Sequence, residues 1–252
     1  MSGIRDGGRR RRRWPILVWA IVGLVLICVA LVVADVSARA YAEGRIADEL
    51  ESRLPESVQG AVDVRIGGAS VIGQYLAGSF EHIEIDAPEL NVDGVPLAAH
   101  VTAEGVPVDT AKPVRLLAGT VTIDAAAVRE IIDVPGVDDL TLGDGVVTLH
   151  GTRTVLGIPI DYTATATVAS DGGRLLFTPT EASAVGGPPG LDLGEAAQRI
   201  LGGQPIPVCV ASALPEGVEV KGVSVRPEAA TLELSARDLV LSAQTLATKG
   251  SC

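Results

Sequence analysis

The pattern of apolar and polar positions separates a charge-free N-terminal stretch from a long region of alternating residues. Residues 14–33 read WPILVWAIVGLVLICVALVV and contain no charged side chain. A helix of this length spans roughly 30 Å, which is the thickness of the hydrocarbon core of a bilayer. The stretch therefore predicts a transmembrane helix over residues 14–34, preceded by a basic tail at residues 1–13.

Residues 35–54 keep their apolar side chains at helical spacing, and Pro55 ends the run. We expect an amphipathic helix that packs on its own domain, because the segment lacks the basic face of helices that lie on lipid. The chain beyond this helix is long enough for one domain. Residues 35–252 are therefore predicted to form the functional domain.

Most of that domain alternates apolar and polar residues with a period of two, which predicts antiparallel strands. The runs are separated by turn signals such as Asp93-Gly94, Asp144-Gly145 and Glu216-Gly217. Three short helices are predicted at residues 69–77, 124–132 and 192–201, with Asp124 as a candidate N-cap. The predicted fold class is α+β, a long curved antiparallel sheet packed around a few helices and preceded by one transmembrane helix.

The segment GQYLAGSFEHIEIDAP at residues 73–88 changes its period near Gly78-Ser79. Before this point the apolar residues have helical spacing, and after it they alternate with acids. The pattern predicts a short helix that leads directly into a half-buried strand. Such a change would place five side chains along one apolar wall: Ile72, Leu76, Phe80, Ile83 and Ile85.

The charges are distributed unevenly. Residues 1–13 hold six arginines and one aspartate, whereas the rest of the chain holds 14 basic and 30 acidic side chains. Because a basic flank stays in the cytoplasm, we expect a single-pass protein of the cell membrane with an extracytoplasmic domain. The alternative is secretion after cleavage near Ala40, where Ala38-Arg39-Ala40 has a small-x-small pattern. The acidic domain repels phosphates, so no nucleic acid is expected as a partner.

The cysteines fit an exported domain. Cys28 lies within the predicted transmembrane helix, which leaves Cys209 and Cys252 outside the membrane. Two cysteines exposed to an oxidising compartment usually form a disulfide, and we expect this bond to join the C-terminal tail to the strand around Cys209. Two free thiols are the alternative.

Residue patterns typical of enzymes are scarce. His82, His100 and His150 lie on separate predicted strands without a partnering cluster. The acids at residues 138–144 lack the ligand spacing of a calcium-binding loop. There is no nucleophile elbow and no phosphate-binding loop. We therefore predict no catalytic residue, no metal site and no cofactor, and a protein that is not an enzyme.

Two classes of function remain, a lipid-binding module and an envelope scaffold whose apolar face binds another membrane protein. Lipid binding requires an aliphatic lining rather than a motif, because each buried CH₂ group contributes about 0.8 kcal/mol. Only five aromatic residues lie beyond residue 35, so the interior must be aliphatic. A general compositional bias toward Ala, Val and Gly would produce the same interior.

Four segments occur in a characteristic order within residues 35–245. They are GQYLAGSFEHIEI, GTVTIDAAAVREII, IDYTATATVASDGGRLLFTPTEASAVG and LPEGVEVKGVSVRPEAATLELSARDLVL. This ordered set resembles the LmeA-like phospholipid-binding proteins of actinobacterial cell envelopes. The resemblance implies a curved sheet partly wrapped around helices, an apolar groove for phospholipid, and a periplasmic role in envelope lipid or glycolipid assembly.

The resemblance also suggests where a lipid would bind. The expected acyl-chain contacts are Ile72, Leu76, Phe80, Ile83, Ile85, Leu116, Leu117 and Ile131. A phosphate headgroup requires a cation at the mouth of the groove, and Lys112 and Arg115 in TAKPVRLLAG are the candidates. The firm membrane anchor departs from a freely diffusing carrier, which favours a local lipid presenter or sensor.

Overall fold

The computed structural model describes residues 14–53, 57–131, 137–155, 158–185 and 204–252. The described helices are α1 (Trp14–Arg53), α2 (Val71–Ala77), α3 (Ala125–Ile131) and α4 (Ala243–Ala247), with a 3₁₀ turn at Ala211–Ala213. The first half of the strands comprises β1 (Val58–Gln59), β2 (Asp63–Ile66), β3 (Ser79–Val92), β4 (Val95–Pro107), β5 (Val114–Asp124) and β6 (Asp139–Leu142). The second half comprises β7 (Val146–Val155), β8 (Ile158–Asp171), β9 (Arg174–Val185), β10 (Ile206–Cys209), β11 (Val218–Arg226) and β12 (Ala229–Leu239).

The strands form two antiparallel sheets rather than one. The first sheet has seven strands in the order β1-β3-β4-β5-β12-β11, and β2 pairs with β3 beside β1. The second sheet has five strands in the order β10-β9-β8-β7-β6. Mostly antiparallel sheets with a few helices confirm the predicted α+β class.

The two sheets meet at β11, an edge strand of the first sheet. The Val220 amide donates a hydrogen bond to the Gly172 carbonyl at 2.7 Å, just after β8. The Gly145 amide, just before β7, donates to the Val225 carbonyl at 2.9 Å. These backbone contacts join the second sheet to one edge of the first sheet.

The predicted change from helix to strand is confirmed. Ser70 caps α2 by accepting a hydrogen bond from the Gly73 amide at 3.0 Å. Gly78 ends the helix in the left-handed conformation, with φ of 85°, and β3 begins at the next residue. Glycine adopts this conformation without the steric cost of a Cβ atom.

The other predicted helices have different outcomes. The helix expected at residues 124–132 is confirmed as α3, with Asp124 as the last residue of β5. The helix expected at residues 192–201 lies outside the described residues. The sequence did not predict α4 or the 3₁₀ turn, which are only five and three residues long.

The predicted transmembrane and amphipathic segments form one continuous helix, α1. Its stretch Ile21–Ser52 is long and apolar enough to cross a membrane by length and composition, a property that signal sequences share. Near its C-terminal end, α1 packs on the domain as expected. The cluster there consists of buried Val64, Ile83, Ala103 and Val114, contacted by Ile46, Ala47 and Leu50 of α1.

The predicted disulfide is confirmed. Cys209, the last residue of β10, is bonded to the C-terminal Cys252. The Gly250 amide also donates to the Leu214 carbonyl at 3.1 Å. The C-terminal segment is therefore joined covalently to the second sheet and by hydrogen bonds to the chain before β11.

Candidate functional site

One face of the first sheet is apolar across five strands. Because successive side chains of a strand point to opposite faces, residues paired between strands share a face. The register of β3, β4, β5, β12 and β11 aligns three such rows. The rows are Ile83–Ala103–Leu117–Ala236–Val218, Ile85–Val101–Gly119–Leu234–Val220 and Ala87–Ala99–Val121–Leu232–Val223.

The opposite face of the same strands is polar. Asp86, His100, Thr120 and Glu233 form one of its rows. The Nδ1 atom of His100 lies 2.6 Å from Asp86, and Arg65 donates to the same carboxylate at 3.0 Å. The sheet thus separates a hydrophilic face from a hydrocarbon face.

At the start of β11, charged side chains lie close to one another. Lys221 lowers the pKa of the Glu219 carboxyl, first through a hydrogen bond and then through its positive charge. Both side chains are exposed. This pair reinforces the polar character of the surface around the edge strand.

An open groove of about 220 Å³ lies on the apolar face, between the sheet and the C-terminal segment. The strands contribute Val101, Leu117, Gly119, Thr120, Val121, Val218, Leu234, Ser235, Ala236 and Leu239 to its lining. The chain flanking the strands contributes Leu214, Pro215, Leu241 and Leu246. The lining is almost wholly hydrocarbon, so this groove can hold an aliphatic chain. A charged group would lose its hydration there without gaining a polar partner.

Four of the eight predicted acyl-chain contacts come together. Phe80, Ile85 and Leu117 pack against the buried cluster that contains Ile83. Leu117 also lines the groove directly. This part of the predicted wall is therefore a continuous apolar surface that runs from α1 to the groove.

The other four predicted contacts lie elsewhere. Ile72 and Leu76 are exposed on α2 and do not line the groove. Leu116 pairs with Glu104 in a row of the polar face. The side chain of Ile131 lies outside the described part of the chain. The predicted apolar wall therefore does not continue past Gly78 onto α2.

Both predicted headgroup cations are exposed and lie beside acids. The Nζ atom of Lys112 is 3.9 Å from Asp109, and Arg115 donates to Glu104 at 3.0 Å. Lys112 lies in the loop between β4 and β5, and Arg115 is the second residue of β5. Each cation is therefore charge-paired yet open to solvent at one end of the first sheet.

Sequence reasoning did not assign the groove residues of β11, β12 and the C-terminal segment. The alternation in ATLELSARDLVL at residues 230–241 was the available signal, since it places Leu232 and Leu234 on one face. Pairing with β5 brings that face beside Leu117 and Val121. This pairing joins residues more than a hundred positions apart, and no local pattern encodes it.

Among the described residues, no three side chains of His, Cys, Asp or Glu converge as a metal site would require. His82 lies 3.0 Å from Glu84 on the strand surface, and His150 lies 3.1 Å from the Thr163 hydroxyl. The first contact joins neighbours on the same strand, and the second joins residues that are paired across two strands. The groove with its hydrocarbon lining is therefore the candidate ligand site.

Helix α1 is held to the domain by side-chain hydrogen bonds at four levels. Glu51 accepts from the Val62 amide at 2.9 Å, and Glu43 accepts from the Ile66 amide at 2.7 Å. Arg39 donates to the Gly68 carbonyl at 2.8 Å. Asp35 completes the series at the N-terminal end of α2. The segment from residue 62 to residue 72 therefore runs antiparallel to α1.

The contact at Asp35 joins the two helices. Its carboxylate accepts from the Ser70 hydroxyl at 2.7 Å and from the Ile72 amide at 3.0 Å. The hydrogen bond from Ser70, followed by the one from Ile72, holds the pKa of the Asp35 carboxyl below its usual value. The ionised form is favoured because both donors point at its oxygen.

Comparison with known proteins identifies the family. A family model described as LmeA-like phospholipid-binding matches residues 33–235, from the second half of α1 into β12. No curated protein and no solved structure is significantly similar to the chain. The match covers most of the chain, including the apolar face of the first sheet. The chain therefore belongs to the LmeA-like phospholipid-binding family.

Proposed function

We propose that the protein is a membrane-anchored, extracytoplasmic and non-enzymatic phospholipid-binding protein that holds acyl chains in the groove on its apolar face. In this role it supports the assembly of envelope lipids or glycolipids. The observation that carries the proposal is the alignment of aliphatic side chains across five strands, with the groove above them. Family membership supports phospholipid as the ligand.

The energetics suit such a ligand. Burial of a sixteen-carbon chain provides on the order of 10 kcal/mol without any polar contact, at about 0.8 kcal/mol per CH₂ group. The groove, about 220 Å³, is smaller than the roughly 300–1,000 Å³ of typical small-molecule pockets. An acyl chain would therefore lie along the apolar face and be only partly enclosed. The headgroup would remain at the end of the sheet that carries Lys112 and Arg115.

The contacts of α1 support a retained anchor. Asp35 and Arg39 precede the alternative cleavage site near Ala40, and both form hydrogen bonds to the domain. Cleavage there would remove these contacts. With the arginine-rich tail in the cytoplasm, residues 14–34 cross the membrane and the domain stands outside it. A tethered domain of this kind presents or senses lipid locally.

Photocrosslinking with the full-length protein tests the groove. The chain is reconstituted into vesicles that contain a phosphatidylcholine with a diazirine in its acyl chain, and crosslinked peptides are identified by mass spectrometry. We expect adducts on peptides that contain Leu117 and Leu234, besides those on the membrane-spanning part of α1. Adducts restricted to α1 would contradict the proposal.

A matched pair of variants makes the test specific. Leu234→Asp puts a charge into the groove, whereas Ser224→Asp puts the same charge on an exposed residue of β11 that does not line the groove and that pairs with Thr231 on the polar face. We expect roughly tenfold fewer groove adducts in the first variant and no loss in the second, because an acid in the groove must be desolvated when the lipid binds. The adducts on α1 serve as an internal control in both variants.

The open shape of the groove also favours one other function, an envelope scaffold. An apolar face that is not enclosed can bind a membrane protein as well as a lipid. For a scaffold, crosslinking in native membranes would join the groove to another polypeptide, and lipid adducts would be missing from β5 and β12. The same experiment thus separates the two functions.

A further inference from the structure

The hydrogen bonds between α1 and the domain define which end of the domain faces the membrane. Along α1 they occur at Glu51, Glu43, Arg39 and Asp35, while the bonded segment proceeds from Val62 to α2. From Glu51 to Asp35 the helix axis covers roughly 24 Å. Asp35 is the first charged residue after the charge-free residues 14–33. Helix α2 therefore begins at the level where the apolar part of α1 ends.

The same end of the first sheet contains the mouth of the groove. Ser79 pairs with Pro107, and Val114 pairs with Leu239, so β3 and β5 begin where β4 and β12 end. The Val108 amide donates to the Gly78 carbonyl at 3.0 Å. We call this the Gly78 end of the sheet. Leu241, two residues beyond β12, lies at this end and lines the groove.

Apolar side chains are exposed at the Gly78 end. On α2, the exposed fractions are 39% for Ile72, 60% for Tyr75 and 80% for Leu76. At the groove mouth, Leu241 is 43% exposed, and Leu246, which also lines the groove, is 42% exposed. The inward side of α2 is formed by Val71 and Gln74, which are buried. Within the described part of the chain, the larger apolar residues of α2 are thus left without a covering element.

We propose that the Gly78 end is a membrane-docking surface, on which Ile72, Tyr75 and Leu76 insert into the interfacial layer of the bilayer that α1 crosses. The proposal rests on the anchoring of α1 proposed above. Two observations select a bilayer as the partner: α2 is hydrogen-bonded to α1 at the end of the charge-free run, and a tyrosine accompanies the aliphatic residues, as is typical of membrane interfaces.

Apolar insertion, rather than attraction to anionic lipid, drives this docking. In the neighbouring loop, Lys112 is paired with Asp109, so the loop contributes no net charge. Docking would bring the groove mouth at Leu241 against the lipid surface. An acyl chain could then pass from the bilayer into the groove without crossing water.

Depth-dependent fluorescence quenching tests this surface in the full-length protein. Cys28→Ala leaves the disulfide-bonded pair Cys209 and Cys252 as the remaining native cysteines, so Leu76→Cys provides one reactive thiol for an environment-sensitive dye. Labelled protein is reconstituted into phosphatidylcholine vesicles with or without spin-labelled phosphatidylcholine. We expect the spin-labelled lipid to reduce the emission at least twofold.

A dye at Glu89→Cys is the matched control. Glu89 is also exposed on β3, but it lies ten residues beyond Ser79, which is roughly 33 Å along an extended strand. We expect no quenching there. Equal emission with and without spin label at residue 76 would overturn the proposal, and so would equal quenching at both positions. A dye at residue 76 that is shielded from water but not quenched would indicate a protein partner, which also overturns it.

The two proposals can fail separately. Groove adducts from the photoreactive lipid without quenching at residue 76 would leave phospholipid binding intact and reject docking. Quenching at residue 76 without groove adducts would support docking and reject the groove. Because Leu76 is exposed, its replacement is not expected to affect folding, which an unchanged thermal unfolding curve would verify.

Discussion

Asp35 of α1 and Ser70, the N-cap residue of α2, are joined by a 2.7 Å hydrogen bond. Ser70 in turn accepts from the Gly73 amide, and Asp35 also accepts from the Ile72 amide. One carboxylate on the long helix thus organises the first turn of the short one. This arrangement couples the position of α2 to that of α1 as well as to the sheet.

Loss of this carboxylate should loosen α2. In Asp35→Ala, the amides of residues 72–77 should exchange hydrogen roughly tenfold faster, because the helix loses an acceptor at its first turn. Hydrogen-exchange mass spectrometry of the reconstituted protein measures this. Ser37→Ala is the control, since the Ser37 hydroxyl donates within α1, to the Val33 carbonyl. Unchanged exchange in Asp35→Ala would show that β3 alone holds α2.

The core cluster and α2 should respond differently to truncation. Ile83→Ala should lower the free energy of unfolding by roughly 2–4 kcal/mol, because the buried side chain leaves a cavity among Val64, Ala103 and Val114. Leu76→Ala should change it by less than about 0.5 kcal/mol, because the side chain is exposed. Denaturant unfolding of both variants in detergent makes the comparison. A large loss in Leu76→Ala would mean that α2 packs against the domain through Leu76.

The turn at Gly78 should depend on glycine. At φ of 85° any L-residue is strained, although a Cβ atom added to Gly78 would meet no other atom within 4 Å. Gly78→Ala should therefore cost about 1–2 kcal/mol through backbone conformation alone. Gly78→Asn should cost less, since asparagine tolerates the left-handed region. Thermal unfolding temperatures that decrease from the wild-type protein to Gly78→Asn and then to Gly78→Ala would support this prediction. Equal unfolding temperatures of all three proteins would contradict it.

The disulfide should stabilise both the domain and the groove. Cys209 and Cys252 are 43 residues apart, and a crosslink over such a loop contributes about 4 kcal/mol in the chain-entropy treatment. Cys252→Ser should lower the denaturant concentration at the unfolding midpoint. It should also reduce lipid binding in the groove, since Leu241 and Leu246 lie within the closed loop. Denaturant unfolding and lipid crosslinking measure the two effects. Cys28→Ser, in α1, should change neither.

Local structure at α2 and β3 could be predicted because its signals are local. The apolar period changes at Gly78, and the structure changes from helix to strand at the same residue. The face that α2 buries could not be predicted. Gln74 faces inward because its side chain donates to the Gly67 carbonyl and accepts from the Glu81 amide. A polar residue thus occupies the place expected for Ile72 or Leu76.

The groove could be predicted only in part for a related reason. Alternation predicted antiparallel strands, and Leu117 was among the expected lipid contacts, but so was its neighbour Leu116. The groove itself depends on β5 pairing with β12, as in Val114 with Leu239, and on the C-terminal segment above them. Such long-range register follows from the packing of the whole domain. Leu116 and Leu117 illustrate the limit, since neighbours in sequence occupy opposite faces.

The continuity of α1 has a mechanical consequence. No linker separates the charge-free residues 14–33 from the residues that pack on Val64 and Ile83. In the proposed orientation, the continuous helix α1 holds the domain at the membrane surface without a hinge between them. Residues 34–53 extend roughly 30 Å from the bilayer, so the part of the domain that packs on α1 stays within about that distance of it. A lipid bound for a more distant layer must therefore be taken from the groove by an acceptor that approaches the membrane.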